Sequence, residues 1–393
     1  MFAKRIYLIL WCLTHQLAAN PAEWTILLIM QGDNNLSYFM HQNIERLKKI
    51  GSSKQVNILI QWDEPVKHTT WRYKIGHNQL LDNASLLQDM GEDPEAELID
   101  AARWAFTKYP AKKRALIFWN HGSGILDENR NWKRHRGILY DFSSAKCLTN
   151  AGLLRSMQTI QREVLAGGTL DLIGMDACLM AMLEIAYQIK DFTKTFVASE
   201  NIEHAPGWHY DAIFKQLAKT PKILTAESLA HLIVSSFETL HKEHNNIYTQ
   251  SIMDLTVITA LKDNVATLAS TCLAAEQQQA LYKCINSARN SCTEFDKGHF
   301  IDLHHFYRLL LKKITNNKTI SAPLRATLQE LMVNGISLIE KTVVGHTKGH
   351  TYKYSHGLSI YYPRTKKLHL SYQATLFANE TLWPAFIEHY KIL

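Results

Sequence analysis

From Trp24 to Ser199 the chain repeats one pattern: a short apolar run, a polar turn, then a stretch whose apolar residues recur at helical spacing. Short apolar runs suit strands buried on both faces, and an intervening helix supplies the crossover that parallel strands require. The first run covers 25–30; after it come the turn Gly32-Asp33-Asn34-Asn35 and a helical face of Leu36, Met40, Ile44 and Leu47. The second covers 56–62, and Trp71, Tyr73 and Ile75 then alternate with Arg72 and Lys74 as in a half-exposed hairpin strand. Asp93 caps a helix that opens on Pro94, with Glu95 and Glu97 at the positive end of its dipole. Further runs at 115–119, 170–175 and 195–199 are separated by helical patterns at 150–164 and 179–190. The class is therefore α/β: a parallel-dominated sheet flanked by helices. From about 220 to 340 the pattern turns mostly helical, and a last strand at 357–362 stops at Pro363.

The 393 residues divide into an export signal at 1–19, a sheet domain at 20–245, and a mostly helical C-terminal subdomain at 246–393 that completes the fold. The signal is read from the charged head Lys4-Arg5, the apolar run 6–13 and the small residues Ala18-Ala19. That apolar run is too short to span a bilayer, and no later segment is long and apolar enough to do so. The formal charge of +7 is spread along the chain apart from Arg130, Lys133, Arg134 and Arg136, so no basic face interleaved with aromatics points to nucleic acid. Five cysteines follow the signal, an odd number that leaves at least one thiol unpaired within the chain. Cys272, Cys284 and Cys292 are near enough in sequence to supply one disulfide, but spacing does not choose the pair.

In parallel sheets, functional groups gather where strands end and chain leaves the sheet. Two such ends carry chemistry: Asn120-His121-Gly122-Ser123-Gly124 after 115–119, and Asp176-Ala177-Cys178-Leu179-Met180 after 170–175. If the strands are neighbours, His121 and Cys178 emerge on one edge as a histidine and a thiol nucleophile. A helix starting near Cys178, together with an imidazolium, would lower the thiol pKa. Gly122, with no side chain in the way, offers its N–H to an oxyanion, and the N–H of Cys178 is the natural second donor.

These motifs resemble the paired signatures of the clostripain family of cysteine peptidases, which have a caspase-like fold. Gly51-Ser52-Ser53, Val197-Ala198-Ser199-Glu200 and the late His356-Gly357-Leu358-Ser359-Ile360-Tyr361-Tyr362-Pro363 agree, so the resemblance runs from about 24 to 363. It implies an endopeptidase cleaving after Arg or Lys, with His121 and Cys178 as a dyad needing no third residue. It makes Asp176 an acidic group of the pocket for the basic side chain. Family members often carry Pro-Gly-x-Gly-Trp and an acidic residue after Ala-Ser-Glu, whereas this chain reads Ala205-Pro206-Gly207-Trp208-His209-Tyr210-Asp211. That departure leaves open whether Asp211 or Glu203 supplies a second carboxylate. Relatives often cut themselves between the histidine and the cysteine, the interval holding Arg130, Lys133, Arg134 and Arg136. The sequence requires no cofactor and has no paired C-x-x-C zinc pattern; calcium enters only as a family trait, without an EF-hand loop.

The expected protein is thus an exported monomer, periplasmic or extracellular, acting on protein or peptide substrates. Two alternatives keep the fold: the same dyad acting on another amide such as cell-wall peptide, or a non-catalytic peptide-binding homologue. His241-Lys242-Glu243-His244 lacks the zinc-protease spacing, and His304, His305, His346, His350 and His356 read as ordinary polar or packing residues.

Overall fold

The computed structural model describes residues 21–64, 69–86, 89–127, 137–243, 246–276, 278–365 and 367–390. The proposed signal at 1–19 and the basic cluster Arg130, Lys133, Arg134 and Arg136 lie outside the described residues.

Strands β1 (Ala22–Gln31), β2 (Val56–Glu64), β3 (Thr69–Gly76), β4 (Gln79–Ser85), β5 (Ala111–Trp119), β6 (Leu170–Asp176), β7 (Thr193–Ala198), β8 (Thr249–Asp254) and β11 (Val343–Lys348) form one sheet. Its order is β11-β8-β7-β6-β5-β1-β2-β3-β4. The five central strands run parallel, with antiparallel strands at both edges. A small separate sheet joins β9 (Glu294–Phe295), β10 (Phe300–Asp302) and β12 (Ser359–Tyr361).

Both faces of the central strands are apolar because helices cover both. Ile26, Leu28, Ile58, Ile60, Ile117 and Leu172 pack under α1 (Ser37–Ile50), α5 (Tyr210–Lys219) and α6 (Ala226–His241). Leu27, Ile29, Leu116, Phe118, Ile173 and Met175 pack under α2 (Pro94–Lys108), α3 (Asn150–Thr159) and α4 (Leu183–Ile189). The same core continues into α7 (Ile258–Ala274), α8 (Gln278–Ser291), α9 (Leu303–Thr315) and α10 (Ala322–Thr342). As expected, Asp93 caps α2 by accepting from the Ala96 N–H, and Pro94 stands in the first turn. Among the described residues no helix is long and apolar enough to cross a membrane.

The structure differs from the sequence reading in four ways. Strands β8, β9, β10 and β11 occur inside the part expected to be mostly helical, because short, partly polar segments such as Thr249–Asp254 carry little periodicity of their own. The 357–362 strand joins the small sheet, with Ile360 opposite Ile301. No helix begins beside Cys178: α4 starts at Leu183. The chain turns at Leu179, whose φ is +66°, and backbone bonds from Leu179 N–H to Asn201 O (3.0 Å), Ala181 N–H to Ser199 O (2.8 Å) and Ser359 N–H to Ala181 O (2.9 Å) hold the segment in place. Finally, Cys272, Cys284 and Cys292 are free thiols, so the disulfide considered among them is absent.

Candidate active site

Strands β5 and β6 lie side by side in parallel, with Trp119 opposite Asp176. The residues that follow therefore leave the sheet at one edge. There a cavity of about 220 Å³ is lined by residues that include Trp119, His121, Asp176, Cys178, Glu203 and Gly207. The chain brings His121 and Cys178 into one cavity by way of the α3 crossover.

Asn120 fixes the histidine's approach. Its amide donates to Gln31 O (2.7 Å) and Tyr140 O (3.3 Å), and its Oδ1 accepts the His121 N–H. The ring's Nε2 bonds Asn35 Oδ1 at 2.8 Å. An amide oxygen only accepts, so Nε2 carries the proton and Nδ1 is the basic nitrogen. Asn35 belongs to the turn Gly32-Asp33-Asn34-Asn35, which the sequence marks only as the break between the first strand and its helix. Its side chain orients the imidazole.

Around Cys178 the backbone closes tightly. The Glu203 N–H points at Sγ at 3.3 Å, and the N–H groups of Gly122 and of Cys178 itself also face the sulfur. A Cβ on Gly122 would lie 2.4 Å from Cys178 O, which explains why glycine stands there. Burial pushes the thiol up to about 11 against these donors, so it is protonated at neutral pH. The lowered pKa expected from a helix start is not realised, because that helix starts later.

The cavity also holds two carboxyls. Asp176 is buried, and its Oδ2 accepts from the Trp208 N–H (3.0 Å) and the Tyr210 hydroxyl (2.7 Å). Gly207 has φ +67°, and a side chain there would strike Asp176 Oδ2 at 2.6 Å, so the glycine admits the carboxylate. Glu203 faces Asp176 and Gln250, yet neither of its oxygens makes a hydrogen bond of ordinary geometry. Burial first, then the Asp176 charge, pushes Glu203 well above the usual carboxylate range. Between the two acids left open by the sequence, Glu203 lines the cavity, whereas Asp211 sits 3.3 Å from His209.

A second acidic group stands behind the histidine's turn. Asp33, Asp63, Asp89 and Asp141 are all buried and offer one oxygen each within 4.8 Å of one another. Gln31 joins them to the site: its Nε2 reaches Asp63 (3.2 Å) and Asp141 (3.0 Å), and its carbonyl holds Asn120.

A helix-flanked parallel sheet with a cysteine and a histidine in one cavity at its carboxyl edge is the architecture of caspase-like cysteine peptidases. The chain belongs to the clostripain family, whose model matches residues 28–390. It is thus a cysteine peptidase, a hydrolase of peptide bonds. Clostripain from Hathewaya histolytica is 25% identical over 410 residues, covering 88% of this chain and 76% of that protein. Among solved structures, a secreted C11 cysteine protease from Bacteroides thetaiotaomicron, in complex with an irreversible peptide inhibitor, matches with TM-score 0.66 and 17% identity over 93% of this chain and 99% of the other. An inactive zymogen C11 protease from Parabacteroides distasonis matches with TM-score 0.63 and 16% identity over 92% and 99%.

Proposed function

We propose that the chain is an exported endopeptidase that cleaves after Arg or Lys, with Cys178 as nucleophile and His121 as acid and base. The observation that carries this reading is the shared cavity: the thiol, the histidine and two facing carboxyls line one pocket. His121 Nδ1 takes the Cys178 proton, and the thiolate attacks the scissile carbonyl. The N–H groups of Gly122 and Cys178 steady the oxyanion, and His121 returns the proton to the leaving amine. Water then hydrolyses the thioester. The Asp176 and Glu203 carboxyls, crowded and starved of a counter-charge, suit a guanidinium or ammonium, which would be heavily penalised in a buried site without them. The test is a panel of fluorogenic peptides ending in Arg, Lys, Ala or Asp. We expect Arg and Lys peptides to be cleaved at least about 100-fold faster than the others, as two desolvated charge pairs imply; equal rates across the panel would defeat the basic-specificity reading.

The proposal extends to self-processing at Arg130, Lys133, Arg134 or Arg136. Its support is the half-buried thiol, with the Glu203 backbone bracketing Sγ. In the uncut chain, alkylation of Cys178 at pH 7 is expected to be slow and to rise about tenfold per pH unit toward a thiol pKa of about 11. After cleavage it is expected to be fast at pH 7. Mass spectrometry that finds only an uncut mature chain in fully active enzyme would rule out cleavage as a requirement. Export itself is tested by N-terminal sequencing of the protein recovered outside the cytoplasm, which should begin near residue 20.

Calcium, the family trait, fits the group Asp33, Asp63, Asp89 and Asp141, since buried carboxylate oxygens are the donors a hard cation takes. Calcium there would supply positive charge behind the turn that carries Asn35. Calcium is expected to raise the melting temperature of the chain by several degrees, a gain lost in Asp63→Asn. An unchanged melting temperature would remove calcium from the proposal.

A further inference from the structure

On the other side of the 199–203 segment from the Cys178 contacts in sequence, the buried carboxylate of Glu200 meets a second group of ionisable side chains. Asp302 ends β10 and caps α9: one oxygen accepts the His305 N–H at 2.6 Å and the other the His356 N–H at 2.5 Å. His304, in the first turn of α9, is 2% exposed. Its Nε2 lies 3.4 Å from Glu340 Oε1, while its Nδ1 is buried with no hydrogen-bond partner. The His356 ring stacks on the His304 ring with centroids 3.8 Å apart, and its Nδ1 is 3.6 Å from Asp302 Oδ1. One ligand atom from each of Asp302, His304 and His356 lies within 4.8 Å of the others. Glu200 adds a fully buried carboxyl beside Asp302, with Oε1 lacking a hydrogen-bond partner.

We infer that Asp302, His304 and His356 form a binding site for a borderline divalent transition-metal ion of the zinc class. Two imidazoles and a carboxylate are the donor set such an ion selects, whereas calcium and magnesium prefer oxygen alone. The buried Nδ1 of His304 is the observation that points to a ligand: an imidazole nitrogen left unpaired in the interior has lost its water and gained nothing in return. Access is available, because an open cavity of about 540 Å³ reaches His356 and its neighbours Tyr354 and Lys353.

The site is tied to the peptidase centre through one short segment. Glu200 holds the loop before β12 by accepting the Gly357 N–H at 2.9 Å, and three residues later the Glu203 N–H meets Cys178 Sγ. An ion bound by Asp302 and His356 therefore fixes the loop that clasps this segment. The metal site stands on its own residues and does not depend on the peptide specificity proposed above.

The experiment uses the full chain carrying Cys178→Ala, so that the pocket thiol cannot bind metal. Zinc is titrated by calorimetry, and cobalt(II) by the visible absorption that nitrogen-ligated cobalt acquires. We expect one zinc site and cobalt bands, with affinity at least about tenfold weaker in His356→Gln and in His304→Ala and unchanged in His305→Gln. His356 is the more exposed ring, so His356→Gln tests the site even if His304→Ala fails to fold. Absence of zinc binding, or binding that survives both His304→Ala and His356→Gln, overturns the inference.

Discussion

Replacing Cys178 with alanine is expected to lower kcat/KM on an Arg peptide by about 10⁴-fold or more while leaving the fold intact. The sulfur is the atom on which the Gly122, Cys178 and Glu203 N–H groups converge, and among the described residues no other thiol lines the cavity. His121→Ala is expected to cost about 10²- to 10⁴-fold, the usual range for a positioned proton-transfer group. Because knocked-out members of one catalytic unit do not add, the double variant should be little worse than Cys178→Ala alone. Parallel measurement of kcat/KM and of melting temperature checks this; substantial activity in Cys178→Ala would remove the cysteine from the mechanism.

The second large effect concerns the two pocket carboxyls. Asp176→Asn and Glu203→Gln are each expected to cut kcat/KM on Arg and Lys peptides by about 10²- to 10³-fold, since removing one partner of a desolvated charge pair costs about 3–5 kcal/mol. Neutral peptides should lose little. Stability should move the other way for Glu203→Gln. Burial raises the Glu203 carboxyl well above its ordinary value, so the folded state retains a proton that the unfolded chain gives up. Folding therefore weakens as pH rises from the unfolded value of about 4 through the raised folded value. Glu203→Gln removes that penalty: its melting temperature should exceed the wild type's at pH 7–8, and the gap should close below about pH 4. Lower activity together with higher stability would identify a binding group and not a structural prop. If basic and neutral peptides lose activity alike, the pocket assignment fails.

Much of this was legible in the sequence because it rests on local periodicity. The parallel core of β1, β2, β5, β6 and β7 follows from apolar runs separated by helical patterns, and the chemistry sits at the two strand ends where Asn120-His121-Gly122 and Asp176-Ala177-Cys178 leave the sheet. Strands β8 and β11 were not legible, since an edge strand is defined by the partner it finds more than by its own composition.

The sequence by itself determined the α/β class, the candidate nucleophile and histidine, and an acidic residue two positions before the cysteine. Only tertiary structure decided that β5 and β6 are neighbours, that Glu203 and not Asp211 shares the cavity with Asp176, and that Asn35 orients the imidazole. It also decided that the thiol's pKa rises, because burial outweighs the Glu203, Cys178 and Gly122 N–H groups that face the sulfur. His304 and His356, 52 positions apart in the chain and each unremarkable there, acquire meaning only when packing stacks their rings beside Asp302. The physical reason is the same in each case: periodicity records which face of an element is buried, whereas a pocket is made by side chains that are distant in sequence, and burial among them sets their protonation.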